Sequence, residues 1–346
     1  MGAIILSDAE RIPIAVDAMG GDHAPEEIVA GAILAHREGL GRMLLVGDQA
    51  RIAPLLGKKV AQEIEIVHVP DAVAMDETPS VAVRKSTRTS LGLAVDLVAQ
   101  GRAQGVVSAG NSGAFLAIAL VRLRTIAGIA RPAIAAVLPS RTGAPVVLLD
   151  AGANVDCRPE WLAQFGVMGS AYARGALGIE RPRVGIISIG EEATKGNTQV
   201  LEAARLLEHM PVYFVGNVEG KDFLGGQVDV CVTDGFVGNV MLKLSEGLAR
   251  MLADVVTHEL RSGGVFAQLG ALLVRPSFAR LRRRISYDTY GGAPLLGVRG
   301  NCIVAHGRAN RLAIRSAIRA AVAEAREGVV ARIAELVDST KTSEET

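Results

Sequence analysis

The sequence predicts an α/β protein of three layers, with a mostly parallel sheet between two layers of helices. Three observations carry that prediction. Short apolar runs alternate with longer segments whose apolar residues recur every three and four positions. Glycine is abundant, 39 of 346 residues, and collects where the apolar runs end. Aromatics make up only 3% of a chain that is 49% hydrophobic and 21% charged, so the core is built of Ala, Val, Ile and Leu. That composition suits parallel strands covered on both faces.

The expected strands are Ile12–Val16, Met43–Val46, Glu65–Val69, Gly105–Ser108, Ala133–Leu138, Val146–Asp150, Val184–Ser188, Val212–Val215, Asp229–Thr233 and Asn301–Ala305. Helical spacing is clearest in Ile28–His36, Leu91–Gln100, Trp161–Leu177 and Val200–His209. No repeat, linker or boundary divides the chain, so residues 1–346 are read as a single α/β/α domain. One region departs from the alternation. From Lys243 to Ile285 an apolar stripe of Leu244, Leu248, Met251, Leu252, Val255 and Val256 is broken at Ser262-Gly263-Gly264. A second apolar stretch with Phe266, Leu269, Leu272 and Leu273 runs past Pro276 to Arg282, Arg283 and Arg284. This reads as a protruding helical hairpin over 243–285. It serves either packing and dimer contact or docking at an anionic membrane surface, because apolar and cationic groups together favour such an interface. Residues 339–346 are polar and read as a frayed tail.

A net charge of +1 supplies no field for collecting polyanions, and the shortage of aromatics removes a base-stacking platform, so no nucleic acid is expected. The three cysteines, Cys157, Cys231 and Cys302, lie far apart and form no CxxC pair, which argues against a zinc cage or a disulfide framework. The N-terminal segment lacks a basic start followed by an apolar run, and no stretch is long enough to span a bilayer. A cytoplasmic protein is expected.

In open α/β sheets ligands bind beyond the carboxyl ends of strands. Gly105–Ser108 is followed by Ala109-Gly110-Asn111-Ser112-Gly113-Ala114 and an apolar helix. Such a start offers free N–H groups to an anion. Val146–Asp150 leads to Ala151-Gly152-Ala153-Asn154, and Val184–Ser188 to Gly190-Glu191-Glu192-Ala193-Thr194-Lys195-Gly196-Asn197. Asp229–Thr233 leads to Asp234-Gly235-Phe236-Val237-Gly238-Asn239. Near the end lie Tyr290-Gly291-Gly292-Ala293-Pro294-Leu295-Leu296-Gly297 and His306-Gly307. Any one of these loops is explained as a turn. Together they pair glycine with asparagine at four strand ends, and asparagine adds a neutral donor that a turn does not require.

Other chemistries lack their residues. GxGxxG, a P-loop and GxSxG are all absent, and no HxxxH or HExxH spacing supports a metal site. No cofactor and no metal are expected. Lys195 inside a Gly–Asn loop suits a point charge for phosphate or a developing oxyanion, against the plainer reading of a surface lysine. His306 suits an acid, a base or a phosphate donor, against a structural histidine.

At this point a resemblance becomes visible. Val16-Asp17-Ala18-Met19-Gly20-Gly21-Asp22-His23-Ala24-Pro25-Glu26 resembles the opening signature of the phosphate acyltransferases of bacterial phospholipid synthesis, the PlsX family. The SAGNSGA, DAGAN, SIGEEATKGN, TDGFVGNV and YGGAPLLGV loops resemble that family in order and spacing over residues 12 to 325. The resemblance implies transfer of a long-chain acyl group from the thioester of acyl carrier protein to inorganic phosphate, giving acyl phosphate. It implies an isocitrate dehydrogenase-like fold, a homodimer and no metal. It also implies a peripheral membrane contact through the hairpin, at Leu248, Met251, Leu252, Phe266, Leu269 and Arg282 to Arg284.

Lys195 and Asn239 are the expected carriers of the catalytic electrostatics. Asn111, Ser112, Gly113, Asn154, Gly196, Asn197, Asp234, Gly235, Gly238 and His306 are expected to hold phosphate or thioester. Asp17, Gly20, Gly21, Asp22 and His23 shape the first loop. Rival readings are a phosphate acetyltransferase using acyl coenzyme A, a dehydrogenase of the isocitrate class, and a non-catalytic membrane scaffold.

Overall fold

The computed structural model describes residues 12–264, 270, 272–276 and 291–344. Eleven strands among them form one sheet: β1 (Pro13–Asp17), β2 (Arg42–Gly47), β3 (Glu65–His68), β4 (Gly105–Ser108), β5 (Ala133–Pro139), β6 (Pro145–Leu149), β7 (Arg183–Ser188), β8 (Tyr213–Glu219), β9 (Val230–Val232), β10 (Ala293–Leu296) and β11 (Asn301–Val304). Their order across the sheet is β3-β2-β1-β4-β11-β10-β5-β6-β9-β7-β8. All ten expected strands are present, with ends displaced by a few residues. The eleventh, β10, lies where the sequence reads as a loop. It is four residues long, follows two glycines and contains Pro294, which normally argues against a central strand.

Alternate residues of each strand point to opposite faces, and this builds the layers. Ile14, Val16, Met43, Leu45 and Val107 pack with Ile28 and Ala32 of α1 (Glu26–Arg37) and Ile314 and Ile318 of α9 (Arg311–Glu327). Ala15, Leu44, Val46 and Val106 face the other way, onto Leu91 and Val95 of α4 (Ser90–Ala99) and Phe115 and Ile118 of α5 (Ser112–Leu123). In the second half Val147, Leu149, Val184, Ile186, Val230 and Val232 meet Phe165 and Met168 of α6 (Pro159–Ala176) and Leu207 of α7 (Thr198–Glu208). Ile333 and Val337 of α10 (Val329–Glu344) join the same cluster. Val146, Leu148 and Cys231 face Leu242 of α8 (Gly235–Ser262). Both faces of the sheet are thus covered, by α2 (Gln49–Val60) and α3 (Pro79–Lys85) as well. This is the expected three-layer α/β/α arrangement.

The strands fall into two parallel groups. β1, β2, β3, β4 and β11 run one way, and β6, β7, β8 and β9 run parallel to one another. Between them β10 is antiparallel to both β11 and β5, and β5 is antiparallel to β6. Three reversals leave the second group opposite to the first. Sheet twist then acts on that opposition. Neighbouring strands rotate by about 20–25°, so the seven steps from β1 to β7 amount to roughly 140–175°. At that average twist the two nominally opposite carboxyl edges would come round toward a common side.

Two expectations change at the periphery. The helix expected from Lys243 as one arm of a hairpin is α8, which runs without a break from Gly235 to Ser262. Its buried residues are Gly235, Gly238 and Leu242, and beyond them Leu244, Leu248, Met251, Leu252, Val255 and Val256 are exposed. Residues 272–276 are helical, with Leu272, Leu273 and Val274 exposed. Phe266, Leu269, Arg282, Arg283 and Arg284 lie outside the described residues. Residues 339–344, expected as a frayed tail, continue α10, which ends at Glu344. No described helix is long and apolar enough to cross a membrane.

α1 and α9 are also clamped by an ion pair. Glu27 accepts from the Arg311 backbone N–H at 2.7 Å and from Arg311 Nε at 3.0 Å. The guanidinium holds the Glu27 carboxyl well below its ordinary range, at about 2. A depressed carboxyl stabilises the fold fully above its unfolded value of 4.5 and loses that contribution as pH falls through 2. The pair is solvated, so Glu27→Gln is expected to cost at most about 1 kcal/mol at neutral pH. Urea unfolding of both proteins should show the gap closing as pH falls toward about 2.

Candidate active site

The expected site residues fall into two sets, one at the carboxyl ends of β1, β4 and β11, the other at those of β6, β9 and β7. The first set is organised by Asp17, the last residue of β1 and 1% exposed. Its Oδ2 accepts from Ser108 Oγ at 2.7 Å and its Oδ1 from the Met19 N–H at 3.2 Å. Burial pushes the Asp17 carboxyl up, and these donors oppose the shift. Ser108 Oγ accepts in turn from the Gly110 N–H at 3.0 Å. The two loops cross so closely that a Cβ on Gly20 would lie 2.5 Å from Asp17 Oδ2. Gly21 has φ +107, the region that favours glycine. The Asp22 N–H donates to Gly307 O at 2.8 Å, which brings the segment after β11 into this set.

Within it, Asn111 has no donor to spare. Its Oδ1 caps α5 through the Ala114 N–H at 3.0 Å, and its Nδ2 donates to Met75 O at 3.0 Å and Glu77 O at 2.8 Å. Asn111 therefore ties down the 74–77 loop. Ser112, exposed at the first position of α5, retains a hydroxyl for a ligand. Gly113 packs against Pro79, where a Cβ would sit 3.3 Å from Cγ. His306 is exposed, and its Nδ1 accepts from the Arg308 N–H at 3.1 Å. In the neutral ring this assigns the proton to Nε2, which becomes the outward donor. His23 is exposed near Glu27.

The second set is organised by Asp150, fully buried at the end of β6. Oδ1 accepts from the N–H groups of Ile134, Gly152 and Ala153 at 3.0, 3.1 and 3.1 Å. Oδ2 accepts from the Asn154 N–H at 2.7 Å and from Asn154 Nδ2 at 2.9 Å. Burial pushes this carboxyl up, and the donors pull it back. Asn154 Nδ2 also reaches Pro132 O at 2.8 Å. Both amide hydrogens are committed, so Asn154 orders the loop, and its remaining Oδ1 is an acceptor that would oppose a phosphate oxygen. Sequence reasoning expected a ligand contact there.

α8 enters against this loop. Asp234 caps it through the Val237 N–H at 2.8 Å, and the Gly235 N–H donates to Asn154 O at 2.7 Å. A Cβ on Gly238 would fall 1.9 Å from Asp150 O, so only glycine permits the approach. One turn in, Asn239 is exposed and stands over Gly152, whose Cβ would be 3.6 Å from Asn239 Cβ. Its amide makes no side-chain hydrogen bond among the described residues.

The loop after β7 completes the set. Ser188 Oγ donates to Lys195 O at 2.9 Å, and Asn217 Nδ2 donates to Glu192 O at 2.7 Å and Lys195 O at 3.1 Å. Gly196 has φ +122, and Asn197 caps α7 through the Val200 N–H at 2.9 Å. Gln199 Nε2 donates to Cys157 O at 2.7 Å and joins this loop to the one after β6. The backbone of Lys195 is thus fixed while its ammonium, exposed, has no ion pair among the described residues.

Two further groups were not singled out from sequence. The Cys157 thiol, half-buried beside Asn154, is pushed up to about 12 by burial, with Asp150, Asp234 and Asp156 adding to the shift. Glu191, Glu219 and Asp222 place carboxylate oxygens within 4.8 Å of one another. Lys221 pairs with Glu219 and stands 3.8 Å from Asp222, which already supplies a cation to that cluster.

The family model described as fatty acid synthesis protein matches residues 12–332. A protein of Syntrophotalea carbinolica named phosphate acyltransferase is 48% identical over 326 residues, 94% of this chain and 92% of its own. One of Myxococcus xanthus with the same name is 48% identical over 324 residues, 92% of each. Among solved structures, a phosphotransacetylase from Streptococcus pyogenes superposes with a TM-score of 0.65 at 18% identity, covering 92% of this chain and 95% of that one. The last likeness is one of fold.

The geometry separates Asn111 and Asn154, whose amide donors build the loops, from Asn239, whose side chain makes no hydrogen bond among the described residues. Asn197 stands between, with its oxygen on the α7 cap and its Nδ2 uncommitted among the described residues. Asn154→Ala leaves Pro132 O and Asp150 short of donors and is expected to destabilise the protein by about 1–3 kcal/mol. Asn239→Ala, on an exposed helix position, is expected to stay within about 0.5 kcal/mol of the parent. Urea unfolding of the two variants checks the contrast.

Proposed function

The chain belongs to the fatty acid synthesis protein family, the phosphate acyltransferase (PlsX) family that its loop motifs resemble, and on that premise we propose that it transfers an acyl group from a thioester to inorganic phosphate. The observation that carries this reading is the pair of unspent groups on adjacent strand ends. These are the Lys195 ammonium after β7 and the Asn239 amide at the start of α8, around a loop that Asp150 holds rigid.

The chemistry asks for little more. An oxygen of hydrogen phosphate attacks the thioester carbonyl carbon, the C–S bond breaks, and the proton of hydrogen phosphate ends on the released thiolate. Thiols ionise near about 8.5, so the leaving group needs no strong acid. The protein must hold a hydrated dianion against the carbonyl and stabilise the tetrahedral oxyanion. Placement can supply roughly 7–11 kcal/mol and one oxyanion donor about 3–4 kcal/mol. Lys195 offers the charge and Asn239 a neutral donor. Ser112 and the Nε2–H of His306 offer further donors at the other set of strand ends.

A covalent route through cysteine is disfavoured. With its thiol held at about 12, Cys157 has almost no thiolate at neutral pH. Cys231 and Cys302 are fully buried. In this reading the transfer is direct.

The acyl donor in this reading is the thioester of acyl carrier protein, with a long chain and a place in phospholipid synthesis. The enzyme works as a homodimer. It meets an anionic membrane peripherally through the exposed stripe of α8, where Leu248, Met251 and Leu252 are 46%, 50% and 57% exposed.

Incubation with acyl carrier thioester is expected to release free carrier thiol only when phosphate is present. Thiol release without phosphate, or none with it, defeats the reading. Lys195→Ala is expected to lower kcat by about 100-fold or more with the fold intact. Cys157→Ser is expected to keep near-parental turnover, and no acyl-enzyme should accumulate in a quenched mass spectrum.

A further inference from the structure

From Leu97 to Leu149, and again from Gly291 to Ala323, the sequence contains no Asp or Glu, although the whole chain is nearly neutral. Several arginines of these stretches find acidic partners elsewhere. Arg102 pairs with Glu65, Arg122 with Asp96, Arg311 with Glu27, and Arg315 and Arg319 with Glu38. Arg124, Arg131 and Arg299 are exposed and make no ion pair among the described residues, nor does exposed Arg158.

These four fall in two pairs along the segment 124–132, whose far end meets the loop after β6. The Arg299 N–H donates to Arg124 O at 3.1 Å, and Arg299 Nε donates to Thr125 O at 3.0 Å. The segment that follows is held on α6, where Gln164 accepts from the Ala130 N–H and donates to Gly128 O, both at 2.9 Å. That places Arg131 over the ring of Trp161, 5.0 Å from its centroid, with Arg158 at 5.8 Å. Trp161 is the only tryptophan of the chain. The next residue, Pro132, accepts the Asn154 side chain. The arginine face therefore adjoins the loop built on Asp150. Asp156 and Glu160 are the acidic residues of the neighbouring loop and first turn of α6, and neither pairs with these arginines among the described residues.

Arginines held on an aromatic ring lose little freedom when they meet a carboxylate, and unpaired cations around a site steer an anionic partner to it. A phosphate ion is small and is served by the loops. A face of four separated arginines suits an extended acidic surface instead. We propose that Arg124, Arg131, Arg158 and Arg299 form a docking face for the acidic surface of the carrier protein that delivers the acyl thioester. This deepens the acyl-transfer reading above and rests on it.

The test compares wild type with Arg131→Glu/Arg158→Glu and Arg131→Gln/Arg158→Gln, each checked by thermal unfolding. With acyl carrier thioester as donor, the charge-reversed variant is expected to raise KM for the carrier by about tenfold, with kcat within about twofold and KM for phosphate unchanged. The Gln variant, which keeps the fold without introducing acid, is expected to fall between. Raising salt from about 50 to about 300 mM should weaken carrier binding to wild type and leave the Glu variant almost unaffected. Normal wild-type turnover with an unchanged carrier KM in the Glu variant overturns the docking face alone. A rise in KM for phosphate overturns it too, because the arginines would then serve the small ion. A wild-type protein that releases no carrier thiol overturns the acyl-transfer reading and the docking face together.

Discussion

The second half of the molecule depends on one buried carboxylate. Asp150 follows β6 directly, has no solvent exposure and receives five N–H donors, four from backbone and one from the Asn154 side chain. An ionised carboxylate is an acceptor at every lone pair, so it matches a ring of donors that a protonated acid would partly repel. Burial raises this carboxyl from its ordinary value and the donors oppose the shift. Everything near the site inherits this arrangement. The Asp150 backbone leaves room only for glycine at 238, which sets the entry of α8, which in turn places Asn239 over Gly152. Asp17 repeats the device in the first half, where Ser108 and the Met19 N–H hold it beneath the crossing of two glycine loops.

Two such keystones exist because the sheet has two directions. Each parallel group places its functional loops at its own carboxyl edge, and three antiparallel pairings separate the groups. A flat sheet would leave those edges facing apart. An average twist over the seven steps from β1 to β7 would reverse most of that separation in angle. In the acyl-transfer reading proposed above, a thioester and a phosphate ion would be served by different halves, with Ser112 and His306 on one and Lys195 and Asn239 on the other. Each keystone fixes its own loops, so a change of angle between the halves would alter the distance between reactants without loosening either set.

The sequence was legible where local rules decide the outcome. Alternation of apolar runs gave ten strands and the layering, because burial on both faces leaves a continuous apolar signature. The loops were legible because glycine and asparagine mark strand ends. The reversal between halves was not, since a βαβ pattern says nothing about which strand becomes whose neighbour. β10 was hidden by its length, its flanking glycines and Pro294. The roles of the asparagines were hidden more deeply. Asn111, Asn154, Asn197 and Asn239 look alike in a motif, yet Asn111 and Asn154 spend their amide donors on carbonyls and a carboxylate, Asn197 spends only its oxygen on a cap, and Asn239 spends neither among the described residues. Whether a donor is already used is a property of the folded neighbourhood. Lys195 was read correctly as standing in a loop, but its fixed backbone comes from Ser188 and Asn217, the latter on a different strand.

The distribution of charge near the site follows from the reaction it serves. A site crowded with cations would bind phosphate tightly and blunt it as a nucleophile, because attraction to the ground state raises the barrier as much as it lowers the energy of the bound ion. Neutral donors avoid this. They strengthen most where charge develops, on the carbonyl oxygen of the tetrahedral intermediate. Among the inner loop residues Lys195 has a fixed backbone and an exposed ammonium, and in the acyl-transfer reading proposed above that one charge brings the dianion close. The arginines stand outside, on a surface beyond Pro132, where their attraction acts on approach and not on the reacting atoms. Cation density outside and neutral donors inside are two answers to one constraint, that the anion must be brought to the carbonyl without being held there.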